Sequence, residues 1–126
     1  MSALPPDDMR RLRQSAFAAR HPIDSMIERW QAIAANSANV AKLAGLKDAT
    51  SLHHPDAFVA ALDQASEWQR ELAWQGVEDI EALVQSGMAA LDVLHARGQD
   101  PQVPAIALWR ELDAAQRSVM TMLEAL

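Results

Sequence analysis

The chain has no cysteine and no tyrosine, two phenylalanines, and four glycines in 126 residues. Without cysteine there is no disulfide, no thiolate nucleophile and no thiolate metal ligand. That composition fits a reducing compartment, and a cytoplasmic location is expected. No segment approaches the roughly 20 consecutive apolar residues of a membrane-spanning helix. No apolar stretch precedes a small-residue cleavage site near the start, so no secretory leader is expected. Positive charge is also short: 11 Lys and Arg stand against 17 Asp and Glu, a formal net charge of -6. Nucleic-acid binders neutralise phosphates with clustered cations, so nucleic acid is not an expected partner. The scarcity of glycine leaves no phosphate-cradling loop, and no Gly-x-Ser-x-Gly, dinucleotide or kinase signature is present.

What the chain does contain points one way. Half of it is apolar, and Ala, Leu, Gln, Glu and Arg, all good helix formers, dominate. β-Branched residues are thinly scattered, which disfavours sheet. The fold class is all-α. A length of 126 residues suits a single helical domain with its own core. Nine arginines against two lysines, together with the alanine, suggest a GC-rich bacterial genome.

Residues 1–6 read as a loose tail. Asp7 and Asp8 follow Pro5-Pro6 and suit the positive end of a short basic helix over 7–20. Met9, Leu12 and Ala16 share one side of it, with Arg10, Arg13 and Arg20 around the other. His21-Pro22 interrupts it, since a residue before proline leaves the helical region. A second helix spans 23–44, where Ile23, Met26, Ile27, Trp30, Ile33, Ala34, Ser37, Val40, Ala41 and Ala44 recur in steps of three and four. Gly45 stops it, and 46–54 is a connector.

The longest element is a run with no internal proline, started by Pro55, continuing to Arg97 and ended by Gly98. As one helix it would reach about 63 Å at ~1.5 Å per residue. Phe58, Leu62, Ala65, Gln69, Leu72, Gly76, Ile80, Leu83, Gly87, Leu91 and Leu94 follow a common line, a near-heptad pattern that predicts coiled-coil-like packing. Gly76 and Gly87 lie on it. Two readings stand: close approach of another helix, or a break near Gly76. Continuity is favoured, because no proline accompanies either glycine. A last helix over 104–126 presents Ala105, Leu108, Trp109, Leu112, Gln116, Val119, Met120, Leu123 and Leu126 as a broad apolar face.

The helices over 23–44 and 104–126 together match the long one in length, and short connectors should send each back antiparallel along its own half. The expected architecture is an elongated antiparallel helical bundle with one long central helix over about 55–97. Such a thin layer leaves an apolar side uncovered. It predicts a homo-oligomer, or a hydrophobic surface for the bundle to sit on. A break near Gly76 would instead permit a compact four-helix monomer.

Little here carries chemistry. His53 and His54 with Asp56 resemble metal ligands superficially, but adjacent side chains diverge and no His-x-x-x-His or Glu-x-x-His spacing exists. A solvated helix start is the expected reading, with no metal, cofactor or catalytic residue. Asp63, Glu67, Glu71, Glu78, Glu81 and Asp92 lie opposite the core line and read as a solvated face, since an acid catalyst needs burial to shift its pKa. No enzyme is expected.

Tryptophan is the more informative residue. Trp30 and Trp109 fall on apolar stripes and belong to a core. Trp68 lies near the edge of the long helix's stripe, and Trp74 lies about 140° from its centre at 100° per residue, on the acidic side. Val59, Val77 and Met88 flank Trp74. Trp74, Trp68, Val77 and Met88 are therefore candidate contacts, either as a second packing face or with an external partner. Arg10, Arg11, Arg13 and Phe17 are candidate contacts of a basic amphipathic segment, toward anionic lipid or an acidic partner.

Two stretches, ERWQAIAANSANVAKLAGL at 28–46 and PDAFVAALDQASEWQRELAWQGVEDIEALVQSGMAALDVL at 55–94, carry a resemblance. They resemble the Gln-, Asn- and Ala-rich early helix and the proline-led long helix of the phasin family, small proteins that coat bacterial polyhydroxyalkanoate granules. The resemblance is one of texture. It implies an all-helical, often oligomeric, granule-associated protein with amphipathic helices on a hydrophobic polymer, and transfers no site residue. The sequence thus leads to a non-enzymatic helical protein coating a hydrophobic surface such as a storage granule. The alternative is a helical adaptor binding another protein through its acidic, Trp74-bearing face.

Overall fold

The computed structural model describes residues 23–46 and 53–125. Among them are four α-helices and no strand: α1 Ile23–Leu43, α2 Pro55–Gln64, α3 Glu67–Ala96 and α4 Gln102–Glu124. Helix ends follow local chemistry. Gly45 and Gly98 adopt positive φ, +73° and +72°. Each lets the next amide turn back: Leu46 N–H donates to the Ala41 carbonyl at 3.0 Å and Gln99 N–H to the Leu94 carbonyl at 3.0 Å. These six-to-one bonds satisfy carbonyls that the helix itself leaves open.

The run from Pro55 to Arg97 is two helices, and the break is not at Gly76. Ala65 and Ser66 are both extended, with ψ of 148° and 167°. Ser66 caps α3, its Oγ accepting from Gln69 N–H at 3.4 Å. The Gln69 side chain returns to accept from the Ser66 amide at 2.8 Å. This reciprocal pair satisfies two donors that a helix start leaves open. The Leu62 carbonyl at the end of α2 accepts from Ala65 N–H at 3.2 Å and from Arg70 Nε at 3.0 Å. Both sides of the break are thereby hydrogen-bonded, and a continuous helix has no advantage there.

Gly76 and Gly87 serve close approach instead. A β-carbon on Gly76 would lie 2.6 Å from Val119 Cγ2, and one on Gly87 2.5 Å from Leu108 Cδ2. The two contacts share one antiparallel register between α3 and α4. Farther along, Gln69 Nε2 donates to the Met122 and Ala125 carbonyls at 3.1 and 2.8 Å, tying the end of α4 to the start of α3.

Helix α1 also runs antiparallel to α4, since Ser37 Oγ donates to Gln116 Oε1 and Gln102 Nε2 donates to the Ala44 carbonyl. It is therefore parallel to α3. The short α2 lies against α1 and α4, where Phe58 stacks on Trp30 with ring centroids 4.2 Å apart and planes 2° from parallel. Trp30 Nε1 donates to the His53 carbonyl at 3.1 Å, so the largest core side chain also satisfies its polar atom.

All four helices contribute to one core, which includes Met26, Trp30, Val40, Phe58, Leu62, Val77, Ile80, Leu112 and Leu123. The elongated layer with one 43-residue spine is corrected: folding α2 back covers apolar faces that a continuous helix would have left open. Among the described residues no helix is long and apolar enough to cross a membrane.

Candidate functional site

The break resets the helical phase, and that relocates most of the candidate contacts. Ala73, Val77, Ile80, Val84 and Leu91 face inward on α3, whereas Leu72, expected in the core, is 44 % exposed. Val77, expected on the far face, is fully buried, because it sits on the inward line once α3 starts at Glu67. Met88 is half-buried against the core, and Val59 in the shorter α2 is half-buried. Val77 and Met88 are therefore packing residues.

Trp74 takes the first of its two expected roles, a second packing face. It is half-buried against the core at the seam between α1 and α3, rather than open on an acidic surface. The Arg29 guanidinium lies over its ring, 4.6 Å from the centroid. Arg29 also approaches Glu81, with Nη1 3.6 Å from Oε1. A cation above an indole face is held by the ring quadrupole. Beside this pair, Arg29, Ile33 and Asn36 of α1 with Glu81, Val84 and Gln85 of α3 line a recess of about 120 Å³.

Among the described residues Trp68 is the aromatic that reaches the surface, at 60 % exposure. Leu72 follows one turn later on the same face, and i,i+4 neighbours touch on a helix. Together they form an apolar edge near the start of α3, with Glu67 and Glu71 alongside. Sequence reasoning named Trp68 but placed Leu72 in the core, because the stripe was carried unbroken through Ala65-Ser66. The signal that would have separated them is the Ser66-x-x-Gln69 pair.

The histidines part company. His54 Nδ1 accepts from the Asp56 amide at 3.1 Å and caps α2 at the surface. His53 is buried, which corrects its reading as part of a solvated helix start: its Nε2 lies 3.0 Å from Asp113 Oδ1. Arg117 donates to the other oxygen of Asp113 at 2.8 Å. This chain of contacts pins the start of α2 to α4. Among the described residues no group of three or more His, Asp and Glu stands together as a metal site. Arg10, Arg11, Arg13 and Phe17 lie outside the described residues.

No family model, no curated protein and no solved structure matches the chain.

Proposed function

We propose that this chain is a non-enzymatic helical protein that attaches to a hydrophobic surface through the Trp68–Leu72 edge. A polyhydroxyalkanoate storage granule in the cytoplasm is the leading candidate surface. One observation carries the reading: a large aromatic and a leucine stand exposed one turn apart, while the other aromatics among the described residues are buried or half-buried. Apolar area taken from water stabilises by roughly 25 cal/mol per Å², and an indole offers about 200 Å² of it. The bundle does not need the surface to complete its core. Attachment is therefore reversible docking of a folded protein, not unfolding onto the polymer.

The test is co-sedimentation of the purified protein with polymer particles. Retention above that of an inert helical protein, reduced by Trp68→Ala, supports the proposal. Retention no greater than the inert protein's rejects it.

The second reading is an adaptor that binds another protein through the same edge. It is favoured by Glu67 and Glu71 beside Trp68, since an aromatic anchor with a polar rim is the usual anatomy of a protein interface. A stoichiometric partner lost on Trp68→Ala but kept on Trp74→Ala would support it. Self-association would also cover the edge. Light scattering distinguishes that case, because a strict monomer at high concentration rejects a homo-oligomer.

A further inference from the structure

Ala65 and Ser66 alone separate α2 from α3, and neither resists a helix. Alanine is the best helix former and serine an ordinary one. The bend is held by side-chain bonds, from the Ser66 amide to Gln69 and from Arg70 Nε to the Leu62 carbonyl. In sequence the apolar line passes through the junction without interruption. Taken at 100° per residue, Phe58, Leu62 and Ala65 fall within about 40° of Gln69, Gly76 and Gly87, which face α4. A straight α2–α3 helix therefore keeps one apolar side. We propose that the Ala65-Ser66 junction is a hinge, and that straightening it exchanges α1 and α2 between two copies of this chain.

The geometry explains why straightening needs a second copy. By the register that sets Gly76 against Val119, Glu124 at the end of α4 lies level with Glu71. A straightened α2 would project past it by about 24 Å at ~1.5 Å per residue. Phe58, Ala61 and Leu62, buried in the compact form, would then stand in water, so a lone chain keeps the bend. In a pair, each projecting α2 carries its α1 onto the α3–α4 body of the other copy. Helices α1 and α2 travel together, since Phe58 stacks on Trp30 and Trp30 Nε1 donates to the His53 carbonyl. Contacts between the two halves are remade across copies, Arg29 with Glu81, Ser37 with Gln116 and His53 with Asp113 among them. Only the junction differs: cap bonds are lost there and helix bonds gained. Exchange of identical elements is a low-cost route to a dimer, and a short hinge invites it.

Refolding the full-length protein from denaturant at high concentration should yield a dimer in light scattering. It should persist on dilution, because undoing the exchange requires unfolding. Ser66→Ala removes the cap and should raise the dimer fraction several-fold. Glu67→Pro should abolish the dimer. Proline suits the first position of α3 after the extended Ser66, whereas in a straight helix it clashes with the Asp63 carbonyl. Because the chain has no cysteine, labels can be placed without background at Gln31→Cys and Gln85→Cys, both exposed. Chains carrying one label each are refolded together, and the label separation in the dimer should equal that within a doubly labelled monomer. A strict monomer after concentrated refolding overturns the hinge, and so does a dimer that forms equally in Glu67→Pro. If Glu67→Pro does not fold, the label separation decides alone: a value unlike the monomer's assigns the dimer to surface contact and overturns the exchange. None of these readouts uses polymer particles, so the hinge and granule docking can fail separately.

Discussion

Gly76 of α3 and Val119 of α4 occupy one point of closest approach, where a β-carbon on the glycine would come within 2.6 Å of the valine methyl. Gly87 and Leu108 repeat the arrangement eleven residues along each helix, with three leucine atoms within 3.1 Å of the absent β-carbon. These glycines set the spacing of the α3–α4 pair and, through it, which face of α3 remains outside.

Gly87→Ala should therefore destabilise the bundle. Alanine gains about 1 kcal/mol in helix propensity, but overpacking costs typically ~1–3 kcal/mol, and three leucine atoms must move. Gly76→Ala meets a single methyl, yet valine has one strongly preferred rotamer in a helix and yields poorly. In denaturant unfolding both should lower the midpoint. Adding Val119→Ala to Gly76→Ala should cost less than the sum of the two, the signature of a shared contact. Strict additivity would remove the close-approach explanation.

Gln69 separates two roles that a capping residue usually combines. Its Oε1 takes the Ser66 amide, and its Nε2 holds the Met122 and Ala125 carbonyls. Ser66→Ala should cost about 1 kcal/mol, as cap losses do. Gln69→Glu preserves the cap acceptor but removes the donor and places a carboxylate against carbonyls in a buried site. It should cost more than Ser66→Ala in thermal unfolding. A neutral Gln69→Glu would mean that the tie to α4 contributes nothing.

Ser37 and Gln116 form a polar pair inside the core, and Gln116 Nε2 has no hydrogen-bond partner among the described residues. Removing Ser37 alone leaves the glutamine amide wholly unsatisfied, at a cost of about 1–3 kcal/mol. Ser37→Ala/Gln116→Leu removes both groups and should be near neutral or stabilising. A double variant less stable than Ser37→Ala would contradict this reading.

The tryptophans divide by stability. Trp30 stacks on Phe58 and donates to the His53 carbonyl, so Trp30→Ala should cost about 3–5 kcal/mol. Trp68 projects outward, and Trp68→Ala should stay within about ±0.5 kcal/mol. Equilibrium unfolding of the two variants checks both values. A large loss at Trp68 would make it a packing residue and remove it as a docking contact.

Much of this fold is legible from residue order, and the exceptions share one cause. The stripe from Met26 to Ala44 is buried as its period predicts apart from half-buried Ile27, and so is the one from Ala105 to Leu123 apart from half-buried Trp109. Gly45 and Gly98 stop helices where expected, because only glycine takes positive φ cheaply. The error lies in extending one phase through Ala65-Ser66, where neither proline nor glycine marks a stop. There the deciding interactions are side-chain bonds from Ser66, Gln69 and Arg70. Once the phase shifts, Val77 turns inward and Leu72 outward. The candidate surface moves with them, from Trp74 to Trp68. Arg29 over Trp74 was not readable, since it joins residues 45 positions apart on different helices.

The most direct measurement is a binding isotherm on polyhydroxyalkanoate particles for the native protein, Trp68→Ala/Leu72→Ser and Trp74→Ala, each shown by circular dichroism to be folded. Docking through the α3 edge predicts saturable binding of the native protein, strong weakening in the Trp68/Leu72 variant and near-native binding by Trp74→Ala. Equal binding by all three folded proteins, or none by the native one, would contradict it.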